Sequence, residues 1–236
     1  VKCGAVMERE KRLQGIVFLG GRFDYTPADL AMLNVPFVCC SYSNRYGTLI
    51  EGEYSSVSIA DGDTAQQAVE ELYRHGHRRI AALISRPNDQ SISQLRYEGY
   101  VQALESHGIP VDPELVISTG GFGAKDAYRA VQEKMAENVD FTALFAIADS
   151  MAIGAMRALM DAGRRIPEDC SVIAIDGLEL SAYIEPPLTT LCQPMEEMGR
   201  RSAEILLDMV RHKGSHACEL LPTTLPQGLR EVSSSL

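Results

Sequence analysis

A chain of 236 residues with 45% hydrophobic side chains has material for one large core or two smaller ones. Its 32 acidic against 22 basic residues leave a formal charge of −10, the opposite of the basic footprint that DNA contact needs, so this chain is not expected to hold nucleic acid by itself. No apolar stretch is long enough to span a membrane, and the start, VKCGAVMEREKRLQG, lacks the apolar run of a signal peptide.

Apolar runs suited to buried parallel strands recur at Gly15–Gly20, Pro36–Cys40, Ile80–Ser85, Leu115–Ser118, Ala143–Ala148 and Val172–Asp176. Between most of them lie segments of helical period. Asp63 can cap a helix that places Ala65, Ala68, Val69 and Leu72 on one face and stops at Gly76. Residues 94–107 are expected to bury Leu95, Val101 and Leu104 before Gly108. Residues 150–162 carry Ala152, Met156, Leu159 and Met160 before Gly163, and residues 195–211 align Met198, Ile205, Leu206 and Met209. These methionine stripes read as core. Alternation of strand and helix predicts an α/β fold of parallel sheets flanked by helices. The one long irregular stretch, Ser41–Ser56, is either a functional loop or a surface excursion.

The six cysteines (Cys3, Cys39, Cys40, Cys170, Cys192 and Cys218) show neither C-x-x-C nor zinc-finger spacing. They read as reduced thiols of a cytoplasmic protein. Enzyme signatures are missing. GGFG at 120–123 is not G-x-G-x-x-G, and neither a phosphate loop nor a G-x-S-x-G elbow occurs. His75 and His77 flank Gly76 at a helix end and read as end-capping, solvated residues rather than metal ligands. No metal, cofactor or catalytic pair is expected.

What remains is a set of polar and aromatic residues where strands end, the edge at which open α/β sheets bind ligands. The strand ending at Ser85 is followed by Ser91, Ser93 and Arg96; the strand ending at Ser118 by Phe122; that ending at Ala148 by Asp149; and the last strand ends on Asp176, in VIAIDGLELSAYIEPPLTTLCQP. A guanidinium, two carboxylates, hydroxyls and a ring make a site for a polyol, because charged groups bond vicinal hydroxyls and a ring covers the apolar face of a sugar. Each also has a structural alternative. Asp176 can cap the following turn, Asp149 can be the N-cap of helix 150–162, Arg96 can pair with Glu98 or Asp89, and Phe122 can be core.

In combination, GHRRIA (76–81), R-x-x-G-Y (96–100), DSMAIGA (149–155) and P-L-T-T-x-x-Q-P (187–194) resemble the effector-binding core of the lactose/galactose repressor (LacI/GalR) family, over residues 15–236. The resemblance implies a periplasmic-binding-protein-like fold of two similar subdomains, at 1–59 plus 193–221 and at 61–191 plus 223–236, with a ligand cleft between them. It implies that Asp176 and Arg96 hold ligand hydroxyls and that Phe122 stacks on the ligand. The family's ligand-binding Asn is replaced here by Ala148. It further implies a homodimer packed through Ile153, Met156 and Tyr183, a sugar-like effector, and operator contact only through a helix-turn-helix module that precedes this core. LPTTLPQGLREVSS (221–234) resembles the family's closing strand. A sugar-transport receptor of the same fold is the alternative.

Overall fold

The computed structural model describes residues 1–225 apart from Arg22, Glu51 and Lys213. Two compact units emerge. The first comprises Val1–Ala60, Gln90–Ile92 and Pro194–Pro222; the second comprises Asp61–Asp89, Ser93–Gln193 and the described residues from Thr223 on.

The first unit opens with helix α1 (Lys2–Lys11), then alternates β1 (Ile16–Leu19), a single turn α2 (Pro27–Leu30), β2 (Phe37–Cys40) and β3 (Ser56–Ser58). The segment VKCGAVMEREKR is thus a packed helix: Ala5 is buried, and the Glu8 carboxylate accepts the Asn34 N–H at 3.0 Å. Strand β3 carries too little apolar character to be read from sequence. Both its serines are buried, and the Ser58 hydroxyl accepts the Tyr42 N–H at 2.9 Å and donates to the Tyr42 carbonyl, which removes the usual cost of burying a polar group there. The loop from Ser41 is anchored rather than loose. Tyr42 is 2% exposed, stacks on Tyr25, meets Phe23 and Tyr54 edge-on, and donates its hydroxyl to Asn44.

The second unit runs α3 (Asp61–Arg74), β4 (Ile80–Ile84), α4 (Ile92–Ser106, whose first residue groups with the first unit), β5 (Val116–Ser118), α5 (Ala124–Ala136), β6 (Ala143–Ala146), α6 (Asp149–Asp161), β7 (Ser171–Asp176) and β8 (Thr189–Cys192). The chain then returns to the first unit through α7 (Met195–His212) and β9 (Cys218–Leu220). Both sheets are parallel throughout, in the orders β1-β2-β3-β9 and β5-β4-β6-β7-β8. Central strands β4 and β6 are buried at every position, which is why they read as unbroken apolar runs. Of the resembled closing strand, Thr224 forms an antiparallel bridge to Cys192, and residues 226–234 lie outside the described residues.

Three sequence expectations are corrected. Helix α3 starts at Asp61, two residues before the expected cap. Helix α4 does not turn Leu95 and Val101 inward; both are half-buried, and the buried face is Ser93, Arg96, Gly99, Tyr100, Ala103 and Leu104. Gly99 makes this possible, because a Cβ there would stand 2.1 Å from the Gly62 carbonyl oxygen at the start of α3. Finally, His77 is not solvated but 3% exposed. Its ring nitrogens lie 3.0 Å from the Thr142 hydroxyl and 3.1 Å from that of Ser171, so it ties the entry of β4 to those of β6 and β7. His75 does act at a helix end, with Nδ1 at 2.8 Å from the Glu71 carbonyl.

Burial, helped by the neighbouring His75 and Arg78, holds the His77 imidazole below its ordinary value of 6.5. The unfolded chain therefore takes up a proton below 6.5 that the folded chain refuses, so the stability due to neutral His77 is complete above that pH and declines on acidification. Urea denaturation at neutral pH and at pH about 5 is expected to show a steeper loss of stability in the wild type than in His77→Gln.

Candidate functional site

Three segments converge on Arg96 at the carboxyl edge of the second unit's sheet. The residue is 1% exposed, and its side chain comes from the buried face of α4. Its Nε donates to Asp61 Oδ1 at 2.9 Å, at the first turn of α3. Its Nη1 donates to the Ile147 carbonyl just past β6 and to Asp176 Oδ1 at 3.2 Å, at the end of β7. Its Nη2 is buried and has no hydrogen-bond partner among the described residues. A buried guanidinium N–H without an acceptor carries a desolvation cost that an incoming acceptor would relieve. The expected alternatives for Arg96, pairing with Glu98 or Asp89, are replaced by these contacts.

Asp176 is the accessible member of the group: its side chain is 21% exposed, against 2% for Arg96 and 4% for Asp61. Gln193, just past β8, donates to Oδ1 at 2.7 Å, and the Asp149 N–H at the first turn of α6 lies 3.4 Å from Oδ2. The carboxylate thus sits at a helix N-terminus, where the axial dipole favours negative charge. Its backbone is at φ 150°, a region that favours glycine. Such strain persists only where the surroundings over-determine it, and it concentrates at functional positions. Burial pushes the carboxyls of Asp61 and Asp176 above their ordinary value; Arg96 pulls both back, while Asp176 raises Asp61 further and Asp149 raises Asp176.

Asp149 is placed beside this group but is spoken for. It is not the N-cap of α6, a position held by Ala148, which offers no side-chain hydrogen bond. As the first helical residue, fully buried, it accepts from the Leu178 N–H at 2.8 Å, the Ser181 hydroxyl at 2.7 Å and the Thr190 hydroxyl. These bonds brace the turn that follows Asp176. Direct ligand contact by Asp149 is therefore corrected to a bracing role: its carboxylate has no exposed face.

Ser93 is likewise withdrawn, because it is fully buried and its hydroxyl accepts the Ser85 N–H at 3.1 Å, closing the loop between β4 and α4. Ser91 is half-buried and groups with the first unit. Phe122 is 40% exposed, which excludes the core alternative, and its carbonyl accepts from the Ser150 hydroxyl in the first turn of α6. Of the residues expected to face a partner, Met156 is 2% exposed and packed within its own unit, Ile153 is half-buried, and Tyr183 is 76% exposed beside Leu180 at 58%. Met156 is thus corrected to core.

Sequence reasoning missed Asp61 and Gln193. Asp61 resembles any acid opening a helix, and only the arrival of Arg96 from α4 gives it a special role. Gln193 stood within the quoted P-L-T-T-x-x-Q-P but carried no chemical signal of its own. Among the described residues no group of three His, Cys, Asp or Glu side chains could hold a metal ion, and all six cysteines are free. Asp149→Ala is expected to leave two hydroxyls and one N–H without their acceptor and to cost about 3 kcal/mol in chemical denaturation.

The domain family described as periplasmic binding protein-like matches residues 69–228. The transcriptional regulator MalR of Clostridium butyricum is 35% identical over 218 residues, covering 92% of this chain and 64% of its own length. This chain therefore spans a little under two thirds of that curated relative. The solved complex of the transcriptional regulator CelR with cellobiose superposes at a TM-score of 0.83 with 32% identity, covering 95% of this chain and 68% of that one. A LacI family regulator from Enterococcus faecium, solved with bound ribose, gives 0.78 with 27% identity, covering 96% and 82%. With the two parallel sheets and the Arg96–Asp176 edge already described, these matches show that the chain belongs to the LacI/GalR family of transcriptional regulators and carries its periplasmic-binding-protein-like core.

Proposed function

We propose that this chain is the effector-sensing core of a transcriptional regulator, and that a sugar or related polyol binds at the Arg96–Asp176 edge of the second unit. The observation that carries the reading is the buried, unpartnered Nη2 of Arg96 beside a strained, accessible Asp176. A carboxylate and a guanidinium side by side offer one acceptor and one donor set, the pair a vicinal diol needs. The exposed ring of Phe122 supplies an apolar surface at the same sheet edge. Two of the similar solved structures hold sugars, cellobiose and ribose, which supports the same ligand class here. The alternative of a transport receptor has no support of this kind, since the relatives are named as transcriptional regulators.

In this reading DNA contact belongs to a helix-turn-helix module of the type that the relatives' names carry. An effector shifts such a regulator only by its differential affinity for two states, so effector and operator affinities are reciprocally linked. The protein acts as a cytoplasmic homodimer. Among the described residues of the second unit Tyr183 and Leu180 are the most exposed apolar pair, and we assign them, with Ile153, to the partner contact.

A thermal-shift panel that includes cellobiose and ribose is expected to give a selective hit, worth about 2.7 kcal/mol at 100 times the dissociation constant. Asp176→Ala is expected to weaken that ligand by about 1.5–3 kcal/mol in calorimetry; unchanged affinity removes the site assignment. For the assembly, sedimentation equilibrium is expected to show a dimer that Leu180→Arg with Tyr183→Arg turns into a monomer, and a variant that stays dimeric refutes the interface.

A further inference from the structure

The charges around Arg96 do not balance. One guanidinium faces two carboxylates: Asp61, at 2.9 Å from Nε, and Asp176, at 3.2 Å from Nη1. A third carboxylate, Asp149, lies behind them, its own N–H directed at Asp176. The positive member is almost enclosed and the negative Asp176 is the most exposed, so an arriving molecule meets a carboxylate first. Arg96 is the kind of residue that would seize a phosphate or carboxylate through a two-pronged contact. Here that contact would require an anion to approach a carboxylate already sharing the same guanidinium, and like charges brought together in a poorly solvated site oppose binding strongly.

Resting on the reading that the Arg96–Asp176 edge is the effector site, we propose that Asp61 sets the charge class of the effector: by neutralising Arg96 it makes the site take uncharged polyols and refuse phosphorylated or carboxylated ones. Asp61 is a specificity-determining residue that acts through Arg96. Its buried carboxylate stands at the start of α3, where α3 and α4 approach closely at Gly62 and Gly99, and it accepts from Nε of the guanidinium. The unpartnered Nη2 remains a donor for a neutral hydroxyl oxygen, which brings no charge to the carboxylates.

The test uses inorganic phosphate as the anion probe, in titration calorimetry on the purified chain. Asp61→Asn keeps one oxygen acceptor for Nε and removes the charge, the second oxygen becoming an amide NH2. It is expected to bind phosphate about ten- to a hundredfold more tightly than the wild type, with the gain abolished in Asp61→Asn/Arg96→Gln. Arg96-dependent phosphate binding by the wild type, equal to that of Asp61→Asn, overturns the proposal. So does a folded Asp61→Asn, checked by circular dichroism, that gains nothing. A second measurement needs no variant: ribose is expected to bind at least about tenfold more tightly than ribose 5-phosphate, and the reverse preference overturns the proposal. A chain that binds none of the tested sugars counts against the effector reading above, while the phosphate arm still decides the role of Asp61.

Discussion

The arrangement of the second unit's functional edge depends on one buried cation. Arg96 links the start of α3, the backbone beyond β6 and the end of β7, and it does so from the inward face of α4. Burying a guanidinium is costly unless opposite charge and hydrogen bonds meet it, and removing one partner of such a group is far worse than never having built it. Helix α4 therefore cannot be placed by its apolar residues alone. It is held where Asp61, the Ile147 carbonyl and Asp176 can all reach the same side chain, and the absence of a side chain at Gly99 allows that approach.

A second layer of polar contacts keeps Asp176 where it is. The Asp149 carboxylate fastens the turn after β7 and the hydroxyl of Thr190 on β8, while Gln193 bonds Asp176 directly. Together these contacts over-determine a backbone conformation that a non-glycine residue would otherwise leave. The division of labour between two neighbouring acids follows from exposure. Asp149 is saturated and enclosed, whereas Asp176 keeps an open side.

The same principle, hydroxyls satisfied within the fold, explains where the chain departs from simple hydrophobic patterning. Ser58 is buried against both backbone groups of Tyr42, Ser93 closes the loop after β4, and His77 is buried between two hydroxyls. In each case a polar residue that looks solvent-bound in sequence is internal, because folding brings a hydrogen-bond partner to it, near in sequence for Ser93 and farther off for Ser58 and His77. Leu180 and Tyr183 are the reverse case, apolar side chains that the second unit leaves exposed.

The sequence by itself determined the alternation of parallel strands and helices, since apolar runs such as IAALI and the stripe Ala65, Ala68, Val69 and Leu72 are local signals of buried strand and amphipathic helix. It also brought Arg96 and Asp176 forward, because both fall with other polar residues at the carboxyl ends of strands, although each alone had a structural alternative. It could not find Asp61, rank Asp149 against Asp176, or tell that Arg96 rather than Leu95 faces inward. Those depend on which distant groups meet, and hydrogen-bond satisfaction of a buried charge is a property of three-dimensional neighbours rather than of spacing along the chain. The tertiary structure decided them because only there does the guanidinium acquire two carboxylates and one donor with no acceptor.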